Sequence, residues 1–318
     1  MPHVLMVRRI HESGIDLLRQ QADITIEILE DASRANLLRR LPEADGVTLR
    51  ATTFDAELIA SARRLKIVAR HGVGYDNVDV GALTARRIPL AIAGTANSTA
   101  VAEHALTMAL AIAKRIVPLD TELRGGRWQT SLDQPIRELS GSTALVIGFG
   151  RTGSRSAPLF RALGMNVLVH DPYVSRERIE AAGFTFAAIL AQALRSADVV
   201  TIHVPLSAKT RGLVDPFAMK RDAILVCTAR GGVVDEKKLA GALATGHLMG
   251  AGMDVFEQEP APANYPLWDI PNLLITPHTA GLSDRAMEKM SINTCQNVID
   301  GFRGKLDRAN IVNAAILD

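Results

Sequence analysis

The stretch TALVIGFGRTGSRSAPLF, residues 143–160, starts as an apolar run, passes through Gly148, Gly150 and Gly153, and continues as a helix-like segment. These glycines have the spacing GxGxxG between a strand and a helix. The first permits a tight turn, the second lets the backbone approach a pyrophosphate, and the third allows close packing of helix on strand. The first free N–H groups of the helix would face the anion. The stretch therefore predicts a βα unit that binds a dinucleotide.

The next apolar run ends at Asp171, 18 residues after Gly153. A carboxylate in that place accepts hydrogen bonds from the adenine ribose and repels a 2′-phosphate, which favours NAD over NADP. The alternative is an ordinary glycine turn with a chance aspartate at the end of a strand.

Strand-like runs alternate with helix-like segments on both sides of this unit, which indicates parallel βαβ units. Several runs are apolar without alternation, as in strands that are covered on both faces.

A chain of 318 residues exceeds the ~250 at which single cores tend to split. We therefore predict an α/β protein with two doubly wound parallel-sheet domains. Residues 1–98 and 287–318 would form the first domain. Residues 99–286, which include the interdomain helix, would form a second domain inserted into it. The expected strands are 3–7, 24–29, 46–49, 66–70, 88–93, 143–150, 166–171, 198–206, 223–229, 248–255 and 272–276.

Composition argues against several classes of protein. The net charge is +2, from 36 basic and 34 acidic side chains, so neither a nucleic acid nor a membrane surface is expected as a partner. The most apolar stretch, 99–113, contains Glu103 and His104 and is shorter than the ~20 residues of a membrane span. The two cysteines, Cys227 and Cys295, form no CxxC motif, and there is no HExxH motif. We expect no disulfide scaffold, no metal site and a cytoplasmic protein.

Three polar side chains follow predicted strands of the second domain: Arg230, Glu259 and His278. The carboxyl ends of parallel strands face one crevice, so these residues can converge despite their separation in sequence. Beside a nicotinamide, such a set suits hydride transfer between an alcohol and a carbonyl. The histidine exchanges the hydroxyl proton, and the arginine binds the carboxylate of a 2-oxo acid. The residues alone leave alternatives open, because His278 can be a structural residue or a metal ligand, and Glu259 an ordinary loop acid.

The motifs RHGVGYDNVD (70–79), GTANSTAVAEHAL (94–106), VIGFGRTG, HDP, TIHVPL, TARGGVVDE, GMDVFEQEP and LLITPHTAG occur in this order. In them the chain resembles the D-isomer-specific 2-hydroxyacid dehydrogenases over nearly its whole length. The resemblance implies a flavodoxin-like substrate domain, an inserted Rossmann-type NAD domain, a cleft between them and a homodimer. It further implies that His278 is the acid/base, that Glu259 is its partner, and that Arg230 holds a small 2-hydroxy or 2-oxo acid.

The same resemblance implies two sets of binding residues. Cofactor-binding residues would be Gly148, Gly150, Arg151, Thr152, Gly153, Asp171, His203, Val204, Pro205, Thr210, Thr228, Asp254 and Gly281, with Asp254 at the nicotinamide amide. Substrate-binding residues would be Arg50, Arg70, Gly72, Val73, Gly74 and Asn97, with the three residues of the glycine turn offering N–H groups to the carboxylate. Two positions depart from the commonest family pattern. Cys227 stands where Asn is frequent, and Tyr75 where a small aliphatic residue is usual.

The substrate is less closely determined than the reaction. Arg50 and Arg70 resemble arginines that meet the phosphate in phosphoglycerate dehydrogenases, so 3-phosphoglycerate is expected first. Hydroxypyruvate or glyoxylate comes next, followed by another small acid. No regulatory extension is expected after the last helix. Relatives that act as corepressors use NAD to control assembly with a partner and are the rival class. Formate dehydrogenases carry Gln in place of the glutamate, so Glu259 disfavours them.

Overall fold

The computed structural model describes residues 1–128, 135–270 and 272–318, and the chain divides into two compact units. Unit 1 contains Met1–Asn97 and Leu282–Asp318, and unit 2 contains Ser98–Gly281. The chain thus leaves unit 1 once, builds unit 2 and then returns to unit 1.

Unit 1 is built on a parallel sheet of five strands in the order β2-β1-β3-β4-β5. The strands are β1 (His3–Val7), β2 (Thr25–Leu29), β3 (Gly46–Leu49), β4 (Ile67–Arg70) and β5 (Leu90–Ile92). Its helices are α1 (Glu12–Arg19), α2 (Arg34–Arg40), α3 (Ala56–Ser61), α4 (Val80–Ala85) and, from the end of the chain, α11 (Asp284–Arg303). This strand order is that of flavodoxin-like sheets, as the resemblance implied.

Helix α11 belongs to unit 1 because it packs closely against α1. It begins after Ser283, whose side chain accepts a hydrogen bond from the N–H of Ala286, and ends at Gly304 in the left-handed conformation. A Cβ atom at Gly14 of α1 would overlap the hydroxyl and backbone of Ser291. The Ser291 hydroxyl donates to the carbonyl oxygen of His11 at 2.6 Å. Glycine at position 14 is therefore what allows the two helices to approach each other.

Unit 2 is built on a parallel sheet of seven strands in the order β12-β11-β10-β9-β6-β7-β8. The strands are β6 (Thr143–Ile147), β7 (Asn166–His170), β8 (Thr185–Phe186), β9 (Val199–Ile202), β10 (Ile224–Cys227), β11 (Gly250–Met253) and β12 (Leu273–Ile275). Its helices are α5 (Ser98–Ala113), α6 (Ile116–Arg124), α7 (Gly153–Ala162), α8 (Arg176–Ala181), α9 (Leu190–Ser196) and α10 (Glu236–Ala244). Separate apolar clusters, one around Leu145 and Leu225 and the other around Val146 and Val226, cover its two faces.

The order of strands in unit 2 is that of a Rossmann-type sheet with one strand added. The order in which the chain adds strands to the sheet reverses between β6 and β9, because β7 and β8 lie on one side of β6 and β9 lies on the other. The glycine-rich turn follows β6. In open parallel sheets a ligand binds outside the carboxyl ends of the strands where the order reverses. The fold therefore locates the candidate cofactor site independently of the glycine motif.

The predicted fold class is confirmed, and every expected strand is present in one of the two sheets. Strand β8 was missed because two residues give no readable periodicity. Several strands are shorter than expected. The predicted run 248–255, for example, contains only Gly250–Met253 as strand. The residues that leave the ladder at the carboxyl end, among them His203 and Asp254, begin the loops of the candidate site.

Gly14→Ala should lower the free energy of unfolding by about 1–3 kcal/mol, since the added methyl group meets the backbone of Ser291 and one of the helices must shift. Gly241→Ala in α10 is the matched control, because its Cβ would lie 3.5 Å from Phe217, an ordinary contact. That change should raise stability by up to about 1 kcal/mol through helix propensity. Urea unfolding of both variants checks the expected difference in sign. Equal effects would contradict the close packing of α1 on α11.

Candidate active site

The glycine-rich turn after β6 has the geometry that a dinucleotide requires. Gly148 has φ of +91°, and a Cβ there would lie 2.8 Å from the carbonyl oxygen of His203. A Cβ at Gly153 would overlap the carbonyl oxygen of Gly148, whereas a Cβ at Gly150 would meet nothing within 4 Å. The first and third glycines are thus fixed by packing, and the second leaves the backbone open to a bound group. Helix α7 begins at Gly153, where its first N–H groups can bind a phosphate.

Asp171 is buried at the end of β7 and holds the glycine-rich turn in place. Its Oδ2 accepts a hydrogen bond of 2.7 Å from the N–H of Phe149, and its Oδ1 accepts one of 2.8 Å from the N–H of Tyr173. A carboxylate offers about four lone-pair sites, so capacity remains for the hydroxyls of a ribose. The residue therefore orders the turn and can also accept hydrogen bonds from a cofactor.

Two buried polar atoms after neighbouring strands have no hydrogen-bond partner among the described residues. They are Nδ1 of His203, after β9, and Oγ1 of Thr228, after β10. Burial lowers the pKa of His203 to about 4, so its ring is neutral, and its Nε2 lies 3.0 Å from the hydroxyl of Thr201. Buried polar groups normally have a partner. Orphan atoms at this edge of the sheet fit a bound polar ligand such as a dinucleotide.

His278 and Glu259 are in direct contact. The His278 Nδ1 atom lies 2.6 Å from Glu259 Oε2, and the two residues come from the turns after β12 and β11. The other carboxylate oxygen of Glu259 accepts a hydrogen bond of 2.9 Å from the N–H of Phe256. The imidazole side chain is 48% exposed, which leaves its second nitrogen available to a substrate. The arrangement is that of an oriented acid/base.

The surroundings of Glu259 favour its ionised form. Burial opposes ionisation, but the hydrogen bonds from His278 and from the N–H of Phe256, together with the charge of Arg230, outweigh it. The pKa of Glu259 therefore lies below its usual value, and the side chain is an anion at neutral pH. The backbone next to Arg230 lies against the same turn, because a Cβ atom at Gly231 would overlap the carbonyl group of Phe256.

The loop that carries His278 is held by Asp254, the first residue after β11. Asp254 is 1% exposed, and its Oδ1 accepts hydrogen bonds from the hydroxyl of Thr276 (2.6 Å) and the N–H of Thr279 (2.8 Å). Its Oδ2 accepts a third from the N–H of Ala280, at 2.9 Å. The ring of His104 lies 3.0 Å from the Thr276 hydroxyl through Nε2. Asp254 thus has a structural task in addition to the cofactor contact that the resemblance implied.

The predicted substrate residues of unit 1 lie at the carboxyl edge of its sheet. Leu49 of β3 pairs with Arg70 of β4, so Arg50 and Arg70 leave neighbouring strands at nearly the same level. Arg70 donates to the carbonyl oxygen of His71. The Gly72–Gly74 turn follows, and the carbonyl oxygen of Gly72 accepts a hydrogen bond of 2.9 Å from the N–H of Ala93. Asn97, the last residue of this part of unit 1, is half-buried.

His71, which sequence reasoning overlooked, is buried beside these arginines. Burial, and then the charges of Arg50 and Arg70, lower its pKa to about 4, so its ring is neutral. Its Nε2 has no hydrogen-bond partner among the described residues. The edge of unit 1 is therefore cationic through its arginines alone, which suits an anionic group.

The remaining predicted cofactor residues lie on loops of unit 2. Thr210 closes the loop after β9, because its hydroxyl donates to the carbonyl oxygen of Pro205 at 2.6 Å. Val204 lies against Gly148. Arg151 and Thr152 lie in the glycine-rich turn, and Gly281 ends unit 2.

Other side chains that sequence reasoning missed are Glu236, Tyr265 and Thr276, which support the turns of the candidate site. Of these, only Glu236, an acid beside Asp235 at the start of a helix, carried a readable signal.

Over residues 1–128, 135–270 and 272–318, no group of three or more His, Cys, Asp or Glu side chains could hold a metal ion. Nor does any helix in those ranges combine the length and the apolar character that a membrane crossing requires.

Comparison with known proteins identifies the family. Residues 106–280 match the model of the D-isomer specific 2-hydroxyacid dehydrogenase, NAD binding domain. The D-3-phosphoglycerate dehydrogenase of Archaeoglobus fulgidus is 38% identical over 98% of this chain and 59% of its own length. The chain therefore spans about three fifths of the curated relatives that it matches most strongly.

Solved structures agree with this match. The TT0316 protein from Thermus thermophilus is 33% identical with a TM-score of 0.87, over 98% of this chain and 99% of its own. A D-lactate dehydrogenase from Aquifex aeolicus, complexed with NAD and lactic acid, is 26% identical with a TM-score of 0.84, over 98% of this chain and 99% of its own. With its glycine-rich turn, its strand order and the matched NAD-binding domain, this chain belongs to the D-isomer specific 2-hydroxyacid dehydrogenase family.

Proposed function

We propose that the protein catalyses the NAD-dependent, reversible oxidation of a small D-2-hydroxy acid to the 2-oxo acid. The observation that carries this proposal is the 2.6 Å contact of His278 with Glu259, at the sheet edge that also holds the glycine-rich turn and the strand before Arg230. A proton carrier, an anion that steadies it and a guanidinium are what interconversion of an alcohol and a carbonyl requires beside a nicotinamide.

In this mechanism Glu259 holds His278 through Nδ1, so that Nε2 exchanges the proton with the substrate oxygen. Bound NAD would accept or supply the hydride. Arg230 binds the substrate carboxylate and polarises the carbonyl. The anion of Glu259 stabilises the imidazolium form, which donates the proton during reduction and forms by proton uptake during oxidation. Asp171, with the turn at Gly150, would hold the dinucleotide.

We propose 3-phosphoglycerate as the substrate, and hydroxypyruvate or glyoxylate as the alternative. Arg50 and Arg70 lie at the carboxyl edge of unit 1 beside the Gly72–Gly74 turn, and guanidinium forks suit phosphate. The 38% identity to a D-3-phosphoglycerate dehydrogenase supports the same choice. Since both cysteines are free and buried, we also propose the reducing cytoplasm as the compartment.

We propose that two copies of the chain associate through α6. Ile116, Val117 and Leu123 of this helix are each more than half exposed, and none of its residues is buried. The helix borders a pocket of about 450 Å³ in unit 2, whose lining includes Ile112 and Leu273. Large apolar side chains exposed together on one helix favour an interaction site, and the resemblance to a family of homodimers makes a second copy the occupant.

His278→Ala should lower kcat by about 10²–10⁴-fold because the proton carrier is lost, while the Kd for NADH stays within about twofold. Glu259→Gln should also lower kcat, because the imidazolium loses its neighbouring anion. Steady-state rates and fluorescence titration of NADH provide the measurements. Loss of NADH binding in His278→Ala would assign a structural role to that residue instead.

A panel of 2-oxo acids assayed with NADH should give the highest kcat/KM for the oxidised form of 3-phosphoglycerate. Arg50→Gln should raise KM for that acid by about 10–100-fold, through loss of a charge-assisted phosphate contact, and should leave the KM for hydroxypyruvate within about twofold. Arg63→Gln, which changes an exposed arginine of unit 1, is the control. Equal effects of Arg50→Gln on both acids would exclude a phosphate contact at this residue.

Light scattering should give about twice the chain mass of 34.2 kDa. Val117→Asp together with Leu123→Asp should reduce that mass to one chain, since two charges would have to be buried in the interface. Ile189→Asp changes an exposed isoleucine elsewhere in unit 2 and should leave the mass unchanged. A dimer that survives the paired substitutions would place the interface on another surface.

A further inference from the structure

Glu236 is a buried carboxylate to which the mechanism above gives no role. It is 8% exposed at the first position of α10, and no basic side chain of the described residues forms an ion pair with it. Burial of a carboxylate is costly unless its oxygens receive hydrogen bonds. Burial and the charges of Glu257 and Glu259 raise the pKa of Glu236, although the hydrogen bonds that it accepts act in the opposite direction. The protein therefore retains a carboxyl group in an unfavourable place.

The helix does not need Glu236 as a cap. Asp235 precedes α10, and its Oδ1 already accepts hydrogen bonds from the N–H groups of Lys237 and Lys238, at 3.0 and 3.1 Å. The Glu236 carboxylate is bonded to a different segment. Its Oε1 accepts a hydrogen bond of 2.6 Å from the N–H of Glu257, and its Oε2 accepts one from the hydroxyl of Tyr265.

Two successive N–H groups of the turn after β11 are anchored by carboxylates. The N–H of Phe256 donates to Glu259 Oε1, and the N–H of Glu257 donates to Glu236 Oε1. Glu259, two residues after Glu257, supplies its Oε2 to His278. The connection from Glu236 to the imidazole of His278 therefore consists only of hydrogen bonds and of peptide units of this turn.

Packing holds the same turn from two further sides. The rings of Phe256, Tyr265 and Trp268 pack together with centroids 5.2–5.8 Å apart. A Cβ atom at Gly231 would overlap the carbonyl group of Phe256, so the backbone next to Arg230 lies directly against the turn. Arg230 and Glu259 are therefore placed by one packed unit of structure.

From these contacts we propose that Glu236 is a positioning residue, which with Tyr265 holds the turn 256–259 so that the Glu259 carboxylate meets His278. This inference rests on the proposed function, because it assigns Glu236 a task in orienting the proposed acid/base pair. Misplacement of a reacting group by about 1 Å can cost about 10²-fold in rate, so loss of these anchors should reduce turnover without affecting the cofactor.

The test compares Glu236→Ala, Glu236→Gln and Tyr265→Phe with Glu177→Gln, which changes an exposed first-turn glutamate of α8. Glu236→Ala should lower kcat by about 10–100-fold and leave the Kd for NADH within about twofold. Glu236→Gln keeps an acceptor for the N–H of Glu257 and should restore kcat to within about threefold of the parent. Tyr265→Phe keeps the ring packing and should lower kcat by about threefold or more.

Two readouts separate positioning from general destabilisation. If Glu236 acts through Glu259, the double variant Glu236→Ala/Glu259→Gln should be no slower than Glu259→Gln alone. The hydrogen bond between His278 Nδ1 and Glu259, followed through the ¹H NMR signal of the ring N–H and identified by its loss in His278→Ala, should weaken in Glu236→Ala.

Multiplicative losses in the double variant, or an unchanged His278 N–H signal in Glu236→Ala, would overturn the positioning role. If Glu236→Ala does not fold, the His278 N–H signal in Tyr265→Phe decides in the same way. Failure of the proposed function gives a different result, namely turnover that survives His278→Ala and Glu259→Gln. The His278 N–H signal remains informative in that case, because it needs no turnover.

Discussion

The hydrogen bond between His278 and Glu259 depends on two turns that follow adjacent parallel strands. Met253 of β11 pairs with Ile275 of β12, so the ladder sets the level at which both turns start. Each turn is then fixed by a buried carboxylate. Asp254 holds the turn that carries His278, and Glu236 holds the turn that carries Glu259. Since a parallel ladder fixes strand ends but leaves the following backbone unpaired, these two anchors determine where the imidazole and its partner meet.

Buried carboxylates that accept backbone N–H groups recur at this edge of unit 2. Asp171 holds the glycine-rich turn through Phe149, and Asp254 and Glu236 hold the two turns that carry His278 and Glu259. Charge-assisted hydrogen bonds are stronger than neutral ones, and a carboxylate can accept several at once. One side chain can therefore order a turn that has no ladder of its own. The same arrangement gives precise positions to loops, which otherwise are the most mobile parts of a fold.

Unit 1 uses its own sheet edge differently. Its polar residues there are the cations Arg50 and Arg70 and the neutral His71, whose pKa is lowered by burial and by the two arginines. The resulting edge combines positive charge with the N–H groups of a glycine-rich turn, both of which suit an anion. The two units thus offer different groups on separate sheets. Unit 1 has two cations beside a glycine-rich turn, and unit 2 has the His278–Glu259 pair and the GxGxxG turn.

The sequence by itself determined the fold class, the two series of parallel strands and the glycine-rich turn, because these depend on local hydrophobic pattern and on glycines whose roles follow from spacing. It also singled out Arg230, Glu259 and His278, because strand ends in a parallel sheet share one edge. Only the tertiary structure decided which oxygens bind which N–H groups. Glu236 and Tyr265 are 29 positions apart, and Asp254 accepts from Ala280, 26 positions away. No periodic pattern in the sequence predicts such pairings, because they join separate loops that are distant in the chain. The two-residue strand β8 was missed for a related reason. It is held in the sheet by its pairing with β7 and has no sequence pattern of its own.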